Sequence, residues 1–282
     1  MKFLVYGATG WIGGWTARLL RERGHDVVVA TARMQDREHV ARELDQHEPD
    51  RVVCAAGLTG RPNVDWCETH RVETIRTNVV GTLTLADLCC ARGLHMTLFA
   101  TGCTFEYDEE HPAGSGAGFT EDDRPNFAGS YYSATKGVVE DLLREFENVL
   151  ILRVRMPISA DIEYPRNFIS KIMTYKKICS IPNSMTVLDE LLPIACDLAE
   201  AGELAGPLNF TNPGIVSHNE ILKMVRDHLR PGLEWTNFSL EEQAHVLKAA
   251  RSNNLLDTTR LQRIAPSILP IKESLMKYVC KK

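Results

Sequence analysis

Nothing in this 282-residue chain approaches the roughly 20 consecutive apolar residues needed to cross a bilayer, which argues against a membrane protein. The apolar opening Met1–Tyr6 is cut short by Gly7, Gly10, Gly13 and Gly14, so the N-terminus reads as part of the fold and not as a leader. Positive charge is not in excess: 32 Lys and Arg face 37 Asp and Glu, a net charge of -5. That balance provides no basic field for nucleic acid or an anionic membrane. CxxC spacing is missing among the eight cysteines, and the adjacent Cys89 and Cys90 cannot form an ordinary disulfide. A reducing, cytoplasmic setting follows. Repeats, low-complexity tracts and His/Cys/acid clusters with metal-ligand spacing are also lacking. What is present, 44% hydrophobic and 24% charged residues, describes a globular protein suited to small-molecule chemistry.

The first half alternates β-rich runs with helical patterns: Phe3–Tyr6 then Trp11–Arg23, Val27–Ala30 then Arg37–Gln46, Arg51–Ala55 then Glu68–Arg92. This βαβαβ rhythm predicts a parallel sheet. It continues with His95–Thr101, a polar loop from Tyr107 to Pro125, a helix near Ser130–Phe146, and the strand Val149–Arg155. In that helix Val138, Val139, Leu142, Leu143 and Phe146 are expected on one face. The pattern is α/β, a doubly wound parallel sheet. After Met156-Pro157 the rhythm breaks, then resumes with a helix near Asp189–Ala201 and a strand at Leu208–Thr211. We therefore expect a dinucleotide-binding domain at 1–157 and 186–213, and a smaller discontinuous substrate domain at 158–185 and 214–282.

Gly7, Gly10 and Gly13 follow the first strand and open the first helix. There, missing Cβ atoms let backbone N–H groups approach a pyrophosphate. At the end of the second strand, Val29-Ala30-Thr31-Ala32-Arg33 offers no acid for an NAD ribose and one arginine suited to a 2′-phosphate. NADP(H) is favoured on that basis, with NAD(H) the alternative.

Tyr132 and Lys136 are four residues apart on a predicted helix and so share a face. An ammonium beside a phenol lowers the phenol's pKa, and the same lysine can reach a ribose. Thr101 and Cys103, two apart at the end of the fourth strand, are expected to face the same side at the carboxyl edge where such sheets bind ligands. A thiol there suits removal of a proton α to a ketone, though spacing alone favours a packed structural cysteine. Lys171 could deliver a proton from the opposite face, though spacing alone favours a solvated lysine. His218 and Asn219 read as a helix start capped by Ser217. His25, His39, His47 and His245 read as surface residues.

More specific are Ala55-Ala56-Gly57-Leu58-Thr59-Gly60-Arg61-Pro62-Asn63-Val64-Asp65-Trp66-Cys67-Glu68, Phe99-Ala100-Thr101-Gly102-Cys103-Thr104-Phe105-Glu106-Tyr107-Asp108, Arg155-Met156-Pro157-Ile158, Asn209-Phe210-Thr211-Asn212-Pro213-Gly214 and Arg251-Ser252-Asn253-Asn254. Through them nearly the whole chain resembles the extended short-chain dehydrogenase/reductases with a Rossmann-type sheet. Within that group it is similar to the nucleotide-rhamnose synthases, bifunctional 3,5-epimerase/4-reductases. The resemblance implies conversion of UDP-4-keto-6-deoxy-D-glucose to UDP-L-rhamnose. Cys103 would remove protons, Lys171 would reprotonate, Thr101 and Tyr132 would hold the enolate oxygen, and Tyr132 tuned by Lys136 would protonate C4 during reduction. It also implies cofactor contacts from Gly7, Thr9, Gly10, Trp11, Ile12, Gly13, Arg33, Ala55, Ala56, Gly57 and Thr59. Sugar or diphosphate contacts would come from Gly60, Arg61, Asn63, Cys103, Arg155, Asn167, Asn183 and Arg251, the arginines as bidentate donors.

The resemblance further implies a homodimer built on helices that include Tyr132's own, and a separate 4,6-dehydratase supplying the substrate. A single-function dTDP-4-dehydrorhamnose-type reductase would use Thr101, Tyr132 and Lys136 and have no need of Cys103. A non-catalytic NADP-binding regulatory subunit would be expected to lose the Tyr132–Lys136 pair, which this chain keeps.

Overall fold

The computed structural model describes residues 1–60, 63–175, 177–238, 242 and 250–281. Short apolar runs form its main strands: β1 (Lys2–Tyr6), β2 (Asp26–Val29), β3 (Arg51–Cys54), β4 (His95–Thr101), β5 (Val149–Val154) and, beyond a separate two-residue β6 (Lys177–Ile178), β7 (Gly206–Asn209). Except for β6 they make one parallel sheet in the order β2-β1-β3-β4-β5-β7. Every residue of β5 is buried, as expected of a parallel strand covered on both faces. The order turns back between β1 and β3, which opens a crevice at the carboxyl ends of the strands.

One face is covered by α1 (Trp11–Glu22) and the other by α2 (Arg37–His47), α4 (Thr82–Cys90) and α5 (Tyr131–Leu143), with α3 (Arg71–Ile75) packed beside α5. Leu20, Leu191 and Leu192 anchor the first core, and Leu44, Leu85 and Leu143 the second. The remaining helices are α6 (Phe168–Thr174), α7 (Leu188–Ala201), α8 (His218–His228), α9 (Thr259–Ile264) and α10 (Ile271–Ser274). A third core joins Ile169 and Ile172 of α6, Leu222 of α8 and Ile271 of α10 to Ile158 and Val216. Beside it β6 pairs with β8 (Thr236–Asn237), a contact no local pattern announces.

Three details depart from the sequence expectations. The helix expected over Glu68–Arg92 is instead α3 and α4 joined by a wide π turn at Arg76–Gly81. Within that turn the buried Asn78 holds both backbone groups of Leu58: its Oδ1 accepts from the Leu58 N–H at 2.8 Å and its Nδ2 donates to the Leu58 carbonyl at 2.9 Å. On α5 the apolar residues divide between two faces. Val139 and Leu143 are buried, whereas Val138 and Leu142 are 55% and 47% exposed, because a 100° step per residue separates neighbours around the helix. Finally, His25 is not a free surface residue: its ring meets Phe3 edge-on at 5.1 Å and its Nε2 lies 3.1 Å from Glu200. His245 lies outside the described residues.

A buried ion pair locks α5 to the sheet. Arg153 of β5 has no exposed surface, and its Nη2 and Nε donate to Glu140 Oε1 at 2.7 and 3.1 Å. The same guanidinium donates to Asn209 Oδ1 of β7 and to the carbonyls of Thr120 and Asp123. Tyr132, Lys136 and Glu140 succeed each other every four residues along α5, so this anchor sets the direction in which the first two point.

Candidate active site

The crevice begins where β1 delivers the chain to Gly7. With φ at +82°, that residue is in the region glycine favours, and a Cβ there would come within 2.5 Å of Ala56 N. A Cβ on Gly13 would meet the Gly7 carbonyl oxygen at 2.3 Å. Gly10 donates to that same oxygen at 2.9 Å and starts α1 without a side-chain cap. The first N–H groups of α1 are thus left for an anion, with Thr9 exposed and Trp11 and Ile12 part-buried beside them. Across the crevice Ala55, Ala56 and Gly57 follow β3, and a Cβ on Gly57 would lie 3.6 Å from Lys136 Nζ. The buried Lys136 ammonium has no hydrogen-bond partner among the described residues, and burial lowers its pKa. An uncapped helix end, a cradle that side chains would fill and an orphaned ammonium together fit a dinucleotide.

Past β2, Arg33 is exposed at the expected position. The acid of α2 faces inward. Glu43 accepts from Thr31 N at 2.6 Å and from Ala32 N at 3.2 Å, and these bonds hold its carboxyl below the usual range against the opposing effect of burial. Glu43 therefore shapes the loop that carries the exposed Arg33.

Thr101, Cys103 and Tyr132 come together at the end of β4. Strand alternation does not place the cysteine, since β4 stops at Thr101. Instead Cys103 N donates to Thr101 Oγ1 at 3.1 Å and Gly102 N to the Val154 carbonyl at 3.0 Å, forming a turn that leaves the thiol part-exposed. Burial pushes the Tyr132 phenol well above the ordinary range; Cys103 adds to the rise and the Thr101 hydroxyl opposes it. Lys136 does not lower the phenol as the spacing suggested, because its ammonium is turned toward Gly57. Tyr132 therefore holds its proton at neutral pH.

Other expected contacts are enclosed. Asn167 caps α6: its Oδ1 accepts from Ile169 N at 3.1 Å and its amide donates to the carbonyls of Ser159 and Asp161, which uses both protons inside the protein. Asn183 accepts from Arg155 Nη1 at 2.7 Å and Asn254 N at 2.9 Å. Arg155, expected as a bidentate phosphate ligand, has no exposed surface and is wrapped by protein acceptors, so a diphosphate cannot reach it in this conformation. Arg251 pairs with Asp65 at 2.9 Å, and Asn63 Oδ1 accepts from Asp65 N at 2.8 Å. Gly60, at φ +69°, turns the chain so tightly that a Cβ would meet Trp66 Cβ at 2.4 Å. Arg61 lies outside the described residues.

Lys171, on α6, is half-buried, and burial with neighbouring Arg166 lowers its pKa; the structure records no contact from it to Cys103 or Tyr132 among the described residues. The segment before α6 closes over the crevice, with Tyr164 stacked on Trp11 at 4.9 Å and Arg166 Nη1 donating to Thr59 Oγ1 at 3.2 Å.

Sequence reasoning missed several contributors. Asn78 gave no signal beyond being an amide in an apolar helix. Glu68 caps α5 from 63 residues away, accepting from Tyr131 N at 2.7 Å. His218 does start α8 with a Ser217–Glu220 capping box, but its ring also packs 5.2 Å from Phe168, and Nδ1 is buried without a partner among the described residues. Burial and Arg155 hold His218 down to about 4.

A family model described as the NAD dependent epimerase/dehydratase family matches residues 3–175. Over 278 residues the chain is 58% identical to a bifunctional dTDP-4-dehydrorhamnose 3,5-epimerase/dTDP-4-dehydrorhamnose reductase of Arabidopsis thaliana, covering 99% of this chain and 92% of the relative. It is also 58% identical to a trifunctional UDP-glucose 4,6-dehydratase/UDP-4-keto-6-deoxy-D-glucose 3,5-epimerase/UDP-4-keto-L-rhamnose-reductase of the same plant, where it covers 99% of itself but spans 42% of the relative. The crystal structure of the L780 UDP-rhamnose synthase from Acanthamoeba polyphaga mimivirus matches with a TM-score of 0.94 at 44% identity, over 98% of each chain.

Proposed function

We propose, from the premise that this chain belongs to the NAD dependent epimerase/dehydratase family, that it is a bifunctional 3,5-epimerase/4-ketoreductase converting UDP-4-keto-6-deoxy-D-glucose to UDP-L-rhamnose with NADPH. The observation carrying this reading is the Cys103 thiol beside Thr101 and Tyr132. A reductase alone needs the hydroxyl pair; a thiol there adds a base for carbon acids. That distinguishes this reading from a single-function reductase.

In this reading Cys103 takes the proton from C3 and then from C5, and the C–H electron pair moves to the C4 ketone oxygen. The Thr101 and Tyr132 hydroxyls stabilise that oxyanion. Lys171 returns a proton to carbon from the opposite face, and the burial that lowers its pKa makes it a better donor. A dinucleotide held in the cradle would supply the hydride for reduction at C4. Tyr132, protonated at neutral pH, gives its proton to the C4 oxygen, while Lys136 and the glycine cradle hold the dinucleotide. Exposed Arg33 favours a 2′-phosphate and hence NADPH over NADH.

Val72 and Ile75 of α3, Val80 of the π turn, and Val138 and Leu142 of α5 form an exposed apolar set, which supports a homodimer across these helices. Its test is a molar mass by light scattering. A 4,6-dehydratase would supply the keto-sugar. The eight free thiols fit the cytoplasm, and no described helix is long and apolar enough to cross a membrane.

The deciding experiment incubates the protein with UDP-4-keto-6-deoxyglucose and NADPH in deuterium oxide and identifies the product by NMR. UDP-rhamnose deuterated at C3 and C5 is expected. Cys103→Ala is expected to abolish that incorporation, and undiminished exchange would remove Cys103 from the mechanism.

A further inference from the structure

Helix α5 begins at Tyr131, so Tyr132 sits in its first turn, where a helix opens most readily. At about 1.5 Å of rise per residue, the Glu140–Arg153 pair lies about 12 Å farther along the axis, twice as far from Tyr132 as from Lys136. That pair therefore steadies Lys136 better than it steadies Tyr132. Ser130 caps the first turn, its Oγ accepting from Ser133 N at 3.1 Å, but Ser130 travels with the helix it caps.

The Tyr131 N–H is held from outside the helix. Glu68 Oε1 accepts from it at 2.7 Å, a charge-assisted bond at the positive end of the helix. Arg71 of α3 joins the grip: its guanidinium lies 4.8 Å from the centre of the Tyr131 ring and its Nη2 lies 3.8 Å from Glu68 Oε2. Its Nε donates to the Glu68 carbonyl at 3.2 Å. The base of the grip is itself fixed. Glu68 ends a short 3₁₀ turn, Val64–Glu68, that packs on α5, is capped by Asn63 and contains the fully buried Cys67. In the same turn Asp65 pairs with Arg251 at 2.9 Å, and the Trp66 ring stacks on His70 at 3.7 Å.

We propose that Glu68 is a positioning residue for ketone reduction: through the Tyr131 N–H it fixes the first turn of α5 and so aims the adjacent Tyr132 hydroxyl at the C4 oxygen. Glu68 acts through the backbone and not on the sugar. The proposal rests on the reading of Tyr132 as the proton donor. Lys136 lies a turn farther along, closer to the Glu140 anchor, so loss of Glu68 separates proton delivery from dinucleotide binding.

The test measures NADPH oxidation at saturating UDP-4-keto-6-deoxyglucose, with NADPH affinity followed in parallel by fluorescence titration. Glu68→Ala is expected to lower kcat about tenfold or more, because a misaimed donor loses the advantage of orientation, while the Kd for NADPH stays within about twofold. Glu68→Gln keeps an oxygen acceptor and is expected to restore most of kcat. In a Tyr132→Phe background, Glu68→Ala is expected to cost no more than about twofold, because the group it aims is gone. Should Glu68→Ala fail to fold by circular dichroism, Glu68→Asp takes its place with the same expectations, since it withdraws the carboxylate by one methylene and keeps the charge. A kcat within about twofold of the parent overturns the proposal, as does an equal loss of NADPH affinity. A glutamine variant no better than alanine, or the full cost persisting in the Tyr132→Phe background, overturns it too. Near-normal reduction by Tyr132→Phe overturns the reading of Tyr132 and this proposal together, whereas an impaired Tyr132→Phe beside a normal Glu68→Ala overturns this proposal alone.

Discussion

Glu140→Gln isolates the anchor of α5. In the native protein one carboxylate oxygen accepts from Arg153 Nη2 at 2.7 Å and Nε at 3.1 Å, while the guanidinium also lies 4.7 Å from the centre of the Phe105 ring. The substitution removes the only formal negative charge bonded to this fully enclosed cation among the described residues, and leaves it with amide and carbonyl acceptors. Breaking a buried pair on one side costs about 3–5 kcal/mol; glutamine keeps an acceptor and should fall near the lower end, alanine near the upper. At about 2–4 °C per kcal/mol for a chain of this size, Tm should drop by about 6–12 °C for glutamine. Urea titration followed by circular dichroism measures the loss. Replacing both partners, Glu140→Leu with Arg153→Met, should recover much of it, since the enclosed cation goes with its carboxylate and Arg144, 3.4 Å from Glu140, keeps Asp141 at 4.0 Å. A glutamine variant within about 1 kcal/mol of the parent would refute the argument, as would a double variant less stable than either single one. Ketone reduction should fall with stability in Glu140→Gln, because Tyr132 and Lys136 share its face of the helix.

Tyr132→Phe should cut reduction roughly 10²-fold while NADPH binding persists, measured by single-turnover absorbance; near-normal turnover would dismiss Tyr132 as the proton donor. Gly13→Ala should abolish dinucleotide binding by fluorescence titration, since the added methyl would sit 2.3 Å from the Gly7 oxygen. A pH dependence follows from His218, whose pKa is depressed from 6.5 to about 4 by burial and Arg155. The unfolded chain then binds a proton that the folded one refuses. This contribution is complete above pH 6.5 and is lost as pH falls toward about 4, amounting to about 2 kcal/mol after allowing for partial exposure. His218→Phe should flatten urea stability across that window, and an unchanged slope would count against it.

Several features were legible in the sequence because their causes are local. Alternating valine-rich runs and helical periods specify parallel strands and covering helices. Gly7, Gly10 and Gly13 specify a close backbone approach, and the four-residue step from Tyr132 to Lys136 places both on one helical face. Other features depend on partners far away in the chain, which spacing cannot reveal. Arg155 reads as a phosphate ligand until Asn183 and Ser252, 28 and 97 residues away, enclose it. Lys136 reads as a tuner of Tyr132 until Gly57 draws near its ammonium. Cys103 joins Thr101 through a turn hydrogen bond and not through strand alternation, and the two apolar faces of α5 separate only once the sheet buries one of them. Sequence by itself determined the class of fold and which residue types line the candidate site, since periodicity and residue chemistry act over a few residues. Only the tertiary structure decided which charges are sealed and which face the crevice, since burial is set by contacts between distant segments.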